Sequence, residues 1–313
     1  LGNARTFLLT WLSIRQQAGT LILRIEDIDS ARVKPGAVQS VIQDLKWLGL
    51  DWDFGPERQP VLPNGVPCFQ SQRLPRYRQV LQTLIEDQKV YPCSCSRSQI
   101  AQQSASAPHE PAWTQLEGPV YAGTCRKAYF ESGRLLQLHD ENRAALRWAF
   151  DPGQMSWSDG LHGLQSAYPL LQLGDFVIGR GNGKPSYQLA VVVDDYDMAV
   201  TEIVRGDDLM LSTYRQQAIL RHLQWPAPQY YHVPLMHAAG GQRLAKRQGD
   251  SITFLRERGI SPEAVVGYLA YTAGLTDRPH PMPARELIGS LDWQKLSLTA
   301  FTLPEDWTAQ PGN

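Results

Sequence analysis

The chain has 313 residues, 42% of them hydrophobic, which suits two or three water-soluble domains around a well-covered core. With 30 basic and 31 acidic side chains the formal net charge is -1, which excludes a globally basic nucleic-acid surface and leaves only local patches. Four cysteines are too few for a disulfide scaffold and point to a reducing compartment, the cytoplasm. No apolar run approaches the length of a membrane span. The start, Phe7-Leu8-Leu9-Thr10-Trp11-Leu12, lacks the core and small-residue cleavage site of a signal peptide.

Apolar residues at Phe7, Leu8, Trp11, Leu12 and Ile14 mark one face of a helix over 3–17. Residues 20–25 read as a short buried strand that ends abruptly in Glu26, Asp27 and Asp29. In an open parallel sheet, ligands bind beyond the carboxyl ends of the strands. Carboxylates clustered there can grip a cation such as an ammonium; a solvated acidic loop is the alternative. Val38, Val41, Ile42, Leu45 and Leu48 predict an amphipathic helix after the Pro35-Gly36 turn, and Tyr77, Val80, Leu81, Leu84 and Ile85 predict another. This opening argues for an α/β layer.

At Tyr91-Pro92-Cys93 the character changes. Residues 101–119 are rich in Gln, Ser, Ala and Pro, and 146–150 and 176–178 suggest short, partly antiparallel strands. Residues 91–185 are therefore expected as an inserted domain between two halves of an α/β domain, 1–90 and 186–232. The apolar runs 187–193 and 200–204 are expected as buried parallel strands, with a helix through Leu211, Tyr214, Ala218 and Ile219 after them. Residues 233–313 form a final segment that is helical. There Ser261-Pro262-Glu263 opens a helix and Gly274 ends it.

Cys93-x-Cys95 followed by Tyr121-x-x-x-Cys125 is the first constellation able to carry chemistry. Three thiolates suit a tetrahedral structural zinc, with Tyr121 an unusual but possible oxygen donor. Three cysteines packed as small hydrophobes is the alternative, and Cys68 reads as simply buried. Gly179-Arg180-Gly181-Asn182-Gly183-Lys184-Pro185-Ser186 is not a P-loop, because Pro185 separates the lysine from the serine. It reads as a glycine-rich turn that delivers Tyr187 and Gln188 to the start of the next strand. Asp194-Asp195 and Arg205 also follow apolar runs, and Arg205 offers a planar partner for a carboxylate. Glu26, Asp194 and Arg205 together outline a site for a zwitterion. The basic segment Gly241-Gln242-Arg243-Leu244-Ala245-Lys246-Arg247-Gln248-Gly249 is a solvated loop or a set of cations for phosphoryl or nucleotidyl transfer.

Several segments then fall into a single order: Leu1-Gly2-Asn3-Ala4-Arg5, Arg24-Ile25-Glu26-Asp27-Ile28-Asp29, Gln70-Ser71-Gln72-Arg73, Pro185-Ser186-Tyr187-Gln188-Leu189-Ala190, Val204-Arg205-Gly206-Asp207-Asp208-Leu209 and Arg243-Leu244-Ala245-Lys246-Arg247. In that order they resemble the catalytic core of class I glutamyl-tRNA synthetases, most closely the glutamyl-Q tRNA(Asp) branch. The resemblance runs from Leu1 to Arg247. It implies a Rossmann-like parallel sheet with a small zinc-bearing α+β insertion and a helical C-terminal segment. Carried over residue by residue, Glu26 contacts the glutamate amino group, and Tyr187 and Arg205 hold the rest of the amino acid. Gly2 and Asn3 line the nucleotide site, Lys246 stabilises the ATP phosphates during catalysis, and Cys93, Cys95, Tyr121 and Cys125 bind Zn2+. ATP with Mg2+, L-glutamate and queuosine-containing tRNA(Asp) are the implied partners of a monomer without membrane contact.

Two departures stand out. Arg243 and Ala245 replace the first lysine and first serine of the KMSKS-type loop, and Arg247 replaces its last serine, so charge survives but hydroxyls are lost. The family's first strand, with an arginine and a serine for glutamate, would precede Leu1, so a chain starting there is expected to show little or no activity. The zinc pattern favours the glutamyl-Q branch, as does the end at Asn313, which is expected to leave no room for an anticodon-binding domain. The alternatives are the catalytic half of an ordinary or split glutamyl-tRNA synthetase charging a 3′ end, and a non-catalytic RNA- or amino-acid-binding paralogue.

Overall fold

A computed structural model describes residues 1–28, 34–105, 118–132, 144–180, 184–241, 244 and 251–304. Asp29, Arg243, Ala245, Lys246 and Arg247 lie outside these described residues. Helix α1 (Gly2–Gln16) buries Leu8, Trp11 and Leu12 of the face predicted for it, with Leu8 and Leu12 fully enclosed, while Phe7 is 41% exposed. Helix α2 (Ala37–Trp47) presents Ile42 and Leu45 to the same core. Residues 20–25 are extended but form no ladder. Ile22 and Ile25 make isolated parallel bridges to Phe54 and Phe69, and Leu23 N–H donates to Phe54 O at 2.8 Å. The strand expected there is broken up because its partner segment carries Pro56, Pro60, Pro63 and Pro67, which cannot donate to a ladder.

Helix α3 (Leu74–Glu86) leads into β1 (Val90–Cys93), α4 (Arg97–Ala105) and α5 (Thr124–Ser132). Strands β2 (Ala145–Trp148), β3 (Met155–Asp159) and β4 (Gly163–Ala167), the single turn α6 (Pro169–Gln172) and β5 (Val177–Gly179) follow. The sheet β1-β2-β5 is antiparallel, in keeping with the alternation read at 146–150. Then come α7 (Tyr187–Asp197), β6 (Glu202–Gly206), α8 (Met210–His222), β7 (Gln229–Val233) and the short β8 (Met236–His237). Helices α9 (Ile252–Glu257) and α10 (Pro262–Thr272) and strand β9 (Phe301–Thr302) complete the described elements.

The second sheet runs β4-β3-β7-β6 and is mixed: β3, β7 and β6 are parallel, and β4 turns back antiparallel on β3. The purely parallel sheet implied by the resemblance is thus corrected, because a tight turn at 160–162 joins β3 to β4 where a parallel pair needs a long crossover. Strands β3 and β4 come from the stretch expected as an insertion and β6 and β7 from the stretch after it, so hydrogen bonding crosses the boundary at 185 and 186.

The strand expected over 187–193 is a helix. Ser186 Oγ accepts the Leu189 N–H and caps it, and Leu189, Ala190, Val191, Val192 and Val193 are all buried. A helix enclosed on every side is apolar all round, so its sequence carries no 3.6-residue stripe. Helix α10 starts as predicted, with Ser261 Oγ accepting the Ala264 N–H at 3.2 Å, and Gly274 follows in the left-handed region at φ 77°. Arg5 ties α1 to this end of the fold by donating to Thr272 O at 3.2 Å and to Pro234 O. Among the described residues no helix is long and apolar enough to cross a membrane.

Candidate active site

A cavity of about 330 Å³ opens between residues 21–26, the start of α7 and β6. Three of the residues singled out from sequence line it together: Glu26, Tyr187 and Arg205. Glu26 extends from the end of the 21–25 run, and its Oε1 accepts from Arg24 Nη2 at 3.1 Å. Arg24 also donates to Asp195 Oδ1 at 2.6 Å, linking the acidic stretch to α7. Burial alone would depress the Arg24 pKa. Asp195, Glu26 and Asp194 outweigh burial and keep the guanidinium charged. Asp27 serves structure, accepting the Ser71 N–H at 2.8 Å and its hydroxyl at 2.7 Å.

Tyr187 sits on the first turn of α7. Burial first, and the Glu26 charge second, raise its pKa, so it presents a neutral hydroxyl at neutral pH. Arg205 is only 9% exposed and lies on β6 directly opposite His232 of β7. Its Nε donates to His232 Nε2 at 3.0 Å, and its Nη2 donates to Thr213 Oγ1 at 2.6 Å. The guanidinium also lies 5.0 Å from the Tyr230 ring centre. His232 is fully buried and pairs through Nδ1 with Asp159 Oδ2 at 2.6 Å. Burial lowers the His232 pKa despite Asp159, and so favours the neutral imidazole. Sequence reading missed Asp159, Thr213 and His232. The alternation in Gln229-Tyr230-Tyr231-His232-Val233 was the available signal for a strand, but not for its partner.

Asp194 does not join this site. It is fully buried inside α7, where it accepts from Gln70 Nε2 at 2.7 Å, Arg73 Nε at 2.5 Å and Tyr77 Oη at 2.8 Å. The expectation that it faces a ligand fails because helical rather than strand geometry turns it into the α3–α7 contact. Gly2 and Asn3 open α1 and are not among the residues lining the cavity.

A second cluster lies at β1 and α5. The Sγ atoms of Cys93, Cys95 and Cys125 lie within 4.8 Å of one another, and Cys95 Sγ is 3.4 Å from Cys125 Sγ. Tetrahedral zinc with bonds of about 2.3 Å separates its sulfurs by about 3.8 Å, so the cluster has the dimensions to hold one ion. The Tyr121 hydroxyl accepts the Cys125 N–H at 2.7 Å and faces the Cys93 thiol. Burial and the neighbouring Cys125 push the Cys95 thiol up to about 12, whereas burial of the Cys125 thiol is outweighed by hydrogen bonds from Tyr121 and Cys95, which hold it below its usual value.

One cavity thus brings together Glu26, Tyr187 and Arg205, and a separate thiol cluster lies at β1 and α5. The chain belongs to the class I tRNA synthetase family (E and Q), whose catalytic domain it matches over residues 1–298. It is therefore an aminoacyl-tRNA synthetase-type ligase. Within that family it is 44% identical over 310 residues to the glutamyl-Q tRNA(Asp) synthetase of Symbiobacterium thermophilum, covering 99% of this chain and 93% of the relative. The Rhodopirellula baltica glutamyl-Q tRNA(Asp) synthetase is 41% identical, with 95% and 90% covered. A glutamate–tRNA ligase of Anaeromyxobacter sp. is 36% identical, but the chain spans only 62% of its length. The crystal structure of a glutamate tRNA ligase from Elizabethkingia meningosepticum in complex with its amino acid shares the fold at TM-score 0.76 and 22% identity. That match covers 98% of this chain and 65% of the other.

Proposed function

We propose that the enzyme activates L-glutamate with ATP and Mg2+ and transfers the glutamyl group to queuosine in the anticodon of tRNA(Asp). The observation that carries this reading is the convergence of Glu26, Tyr187 and Arg205 on one cavity. Glu26 receives the ammonium, and its Oε2 has no partner among the described residues. Arg205 and Tyr187 hold the remainder of the amino acid. In the first step a glutamate carboxylate oxygen attacks the α-phosphorus of ATP and pyrophosphate leaves, Lys246 offsetting the charge that builds on the phosphates. Gly2 and Asn3 begin α1, whose unpaired first-turn N–H groups favour the nucleotide's anionic groups. In the second step a hydroxyl of the queuosine cyclopentene ring attacks the activated carbonyl and AMP leaves. A single-stranded anticodon loop is where RNA bases are open to reading.

The 41–44% identity to glutamyl-Q tRNA(Asp) synthetases, against 36–37% to glutamate–tRNA ligases, supports this acceptor. Labelled glutamate should pass from the full-length protein to tRNA(Asp) containing queuosine and not to tRNA lacking it. Equal transfer to both, or transfer to a tRNA 3′ end, would identify an ordinary glutamyl-tRNA synthetase. Glutamate-dependent pyrophosphate exchange without tRNA should be present. Its absence would point to a non-catalytic paralogue. Lys246→Ala should lower that exchange at least about a hundredfold, as expected for loss of a preorganised charge at the transition state. Full exchange in that variant would remove Lys246 from catalysis.

The Cys93, Cys95 and Cys125 thiolates with the Tyr121 hydroxyl are proposed as the ligands of one structural Zn2+. An ion there would tie β1 to α5, adding to the small apolar cluster around Tyr91, Cys93 and Tyr129 and to Asp175, which accepts from both Tyr91 and Arg126.

A further inference from the structure

We propose that Asp159 and His232 are positioning residues that aim Arg205 at a substrate carboxylate, with Asp159 deciding which imidazole nitrogen carries the proton. This rests on the reading of Arg205 as a glutamate-binding group. Arg205 is held from behind rather than from the cavity. Nε and Nη2 are engaged by His232 and Thr213, and Nη1 has no partner among the described residues. A guanidinium has only donors, so the His232 nitrogen facing Arg205 Nε must be an acceptor. That requires the proton to sit on Nδ1, where Asp159 Oδ2 receives it at 2.6 Å.

Asp159 is itself locked. Its Oδ1 accepts the N–H groups of Leu161 and His162, each at 2.9 Å. These two donors mark Oδ1 as the oxygen that an asparagine would keep. Asp159→Asn would therefore turn its NH2 toward His232 Nδ1, which could accept it only by moving the imidazole proton to Nε2. Two N–H groups would then face each other at Arg205, although the substitution changes only one atom type. The other groups packed on the imidazole are the Thr213 hydroxyl, 3.0 Å from Nε2 on the side away from Asp159, the rings of Trp157 and Tyr230, 5.5 and 6.0 Å away, and His162, whose Nε2 lies 2.8 Å from His232 O. None of these is an acceptor at Nδ1 that could replace Asp159.

Steady-state pyrophosphate exchange on the full-length protein tests the assignment. Asp159→Asn and His232→Leu should raise the KM for glutamate about tenfold to a hundredfold, the range seen when an outer orienting partner is lost. The KM for ATP should stay within about twofold of the wild type, because Arg205 does not serve the nucleotide in this reading. His232→Gln, which places an amide oxygen near the site of Nε2, should hold the glutamate KM to within about threefold of wild type. If Arg205→Lys raises the glutamate KM and the Asp159 and His232 variants do not, the positioning role is overturned while the pocket stands. If Arg205→Lys leaves that KM unchanged, the glutamate-binding reading of the pocket is itself wrong. Imidazole 15N shifts of the wild-type protein give a check independent of variant folding. They should report a protonated Nδ1 and a bare Nε2 at His232, and the opposite tautomer would overturn the assignment.

Discussion

That Arg205 and Glu26 face one cavity was legible in the sequence because each is a charge placed at the end of an apolar run. Asp159, Thr213 and His232 were not, because their meaning depends on strand register. Arg205 and His232 are 27 residues apart and become neighbours only when β6 and β7 pair in parallel. Their coupling also has a pH signature. His232 titrates below its ordinary value of 6.5 because it is buried, with Asp159 opposing that shift. Between its folded and unfolded pKa the unfolded chain holds a proton that the folded chain does not, so stability falls as pH drops through that window. Asp159, depressed below 3.8 by His232 and two backbone N–H groups against its own burial, adds a further loss at more acid pH. Denaturant midpoints measured from about pH 7.5 to about pH 5 should therefore decline more steeply for the wild type than for His232→Gln. Parallel declines would mean that His232 is not held neutral by the fold.

Helices α1, α2, α3 and α10 emerged within a residue or three of their predicted spans, the first three because each buries an apolar stripe against a core and α10 because its caps mark both ends. Helix α7 defeated the same reasoning because an enclosed helix and a buried strand are both simply apolar. The error mattered at Asp194 and not at Tyr187, which begins the element under either reading. Close packing supplies a sharper element-scale prediction. A Cβ added at Gly267 in α10 would lie 1.8 Å from the carbonyl oxygen of His280. Backbone cannot yield there as a flexible side chain could, so Gly267→Ala should destabilise the protein by about 3 kcal/mol through overpacking. A lower urea midpoint with an unchanged slope would record that loss, and an unmoved midpoint would show that the helix can shift away from residue 280.

At the scale of the whole molecule, the apolar interior is divided. One core gathers α1, α2 and α10, another joins α3 and α7 to the antiparallel sheet, and the thiol cluster lies in a much smaller one. If zinc supplies what that small core lacks, chelation should act locally. Amide exchange should accelerate over residues 90–93, 121–129 and 145–149 while protection in α1 and α10 persists. Zinc binding should weaken as pH falls, because the thiols must lose protons to bind. Uniform loss of protection would make the ion a keystone of the entire fold; no change would leave the cysteines as packing residues.

The way Arg205 is gripped from the protein interior has one further consequence, for redesign. The apolar cavity lining contributed by Val191 and Met198 is separate from the groups that hold the guanidinium. Altering that lining to admit a different acidic amino acid should leave the carboxylate anchor in register, so selectivity for side-chain length and the capacity to hold an acid can be tuned independently.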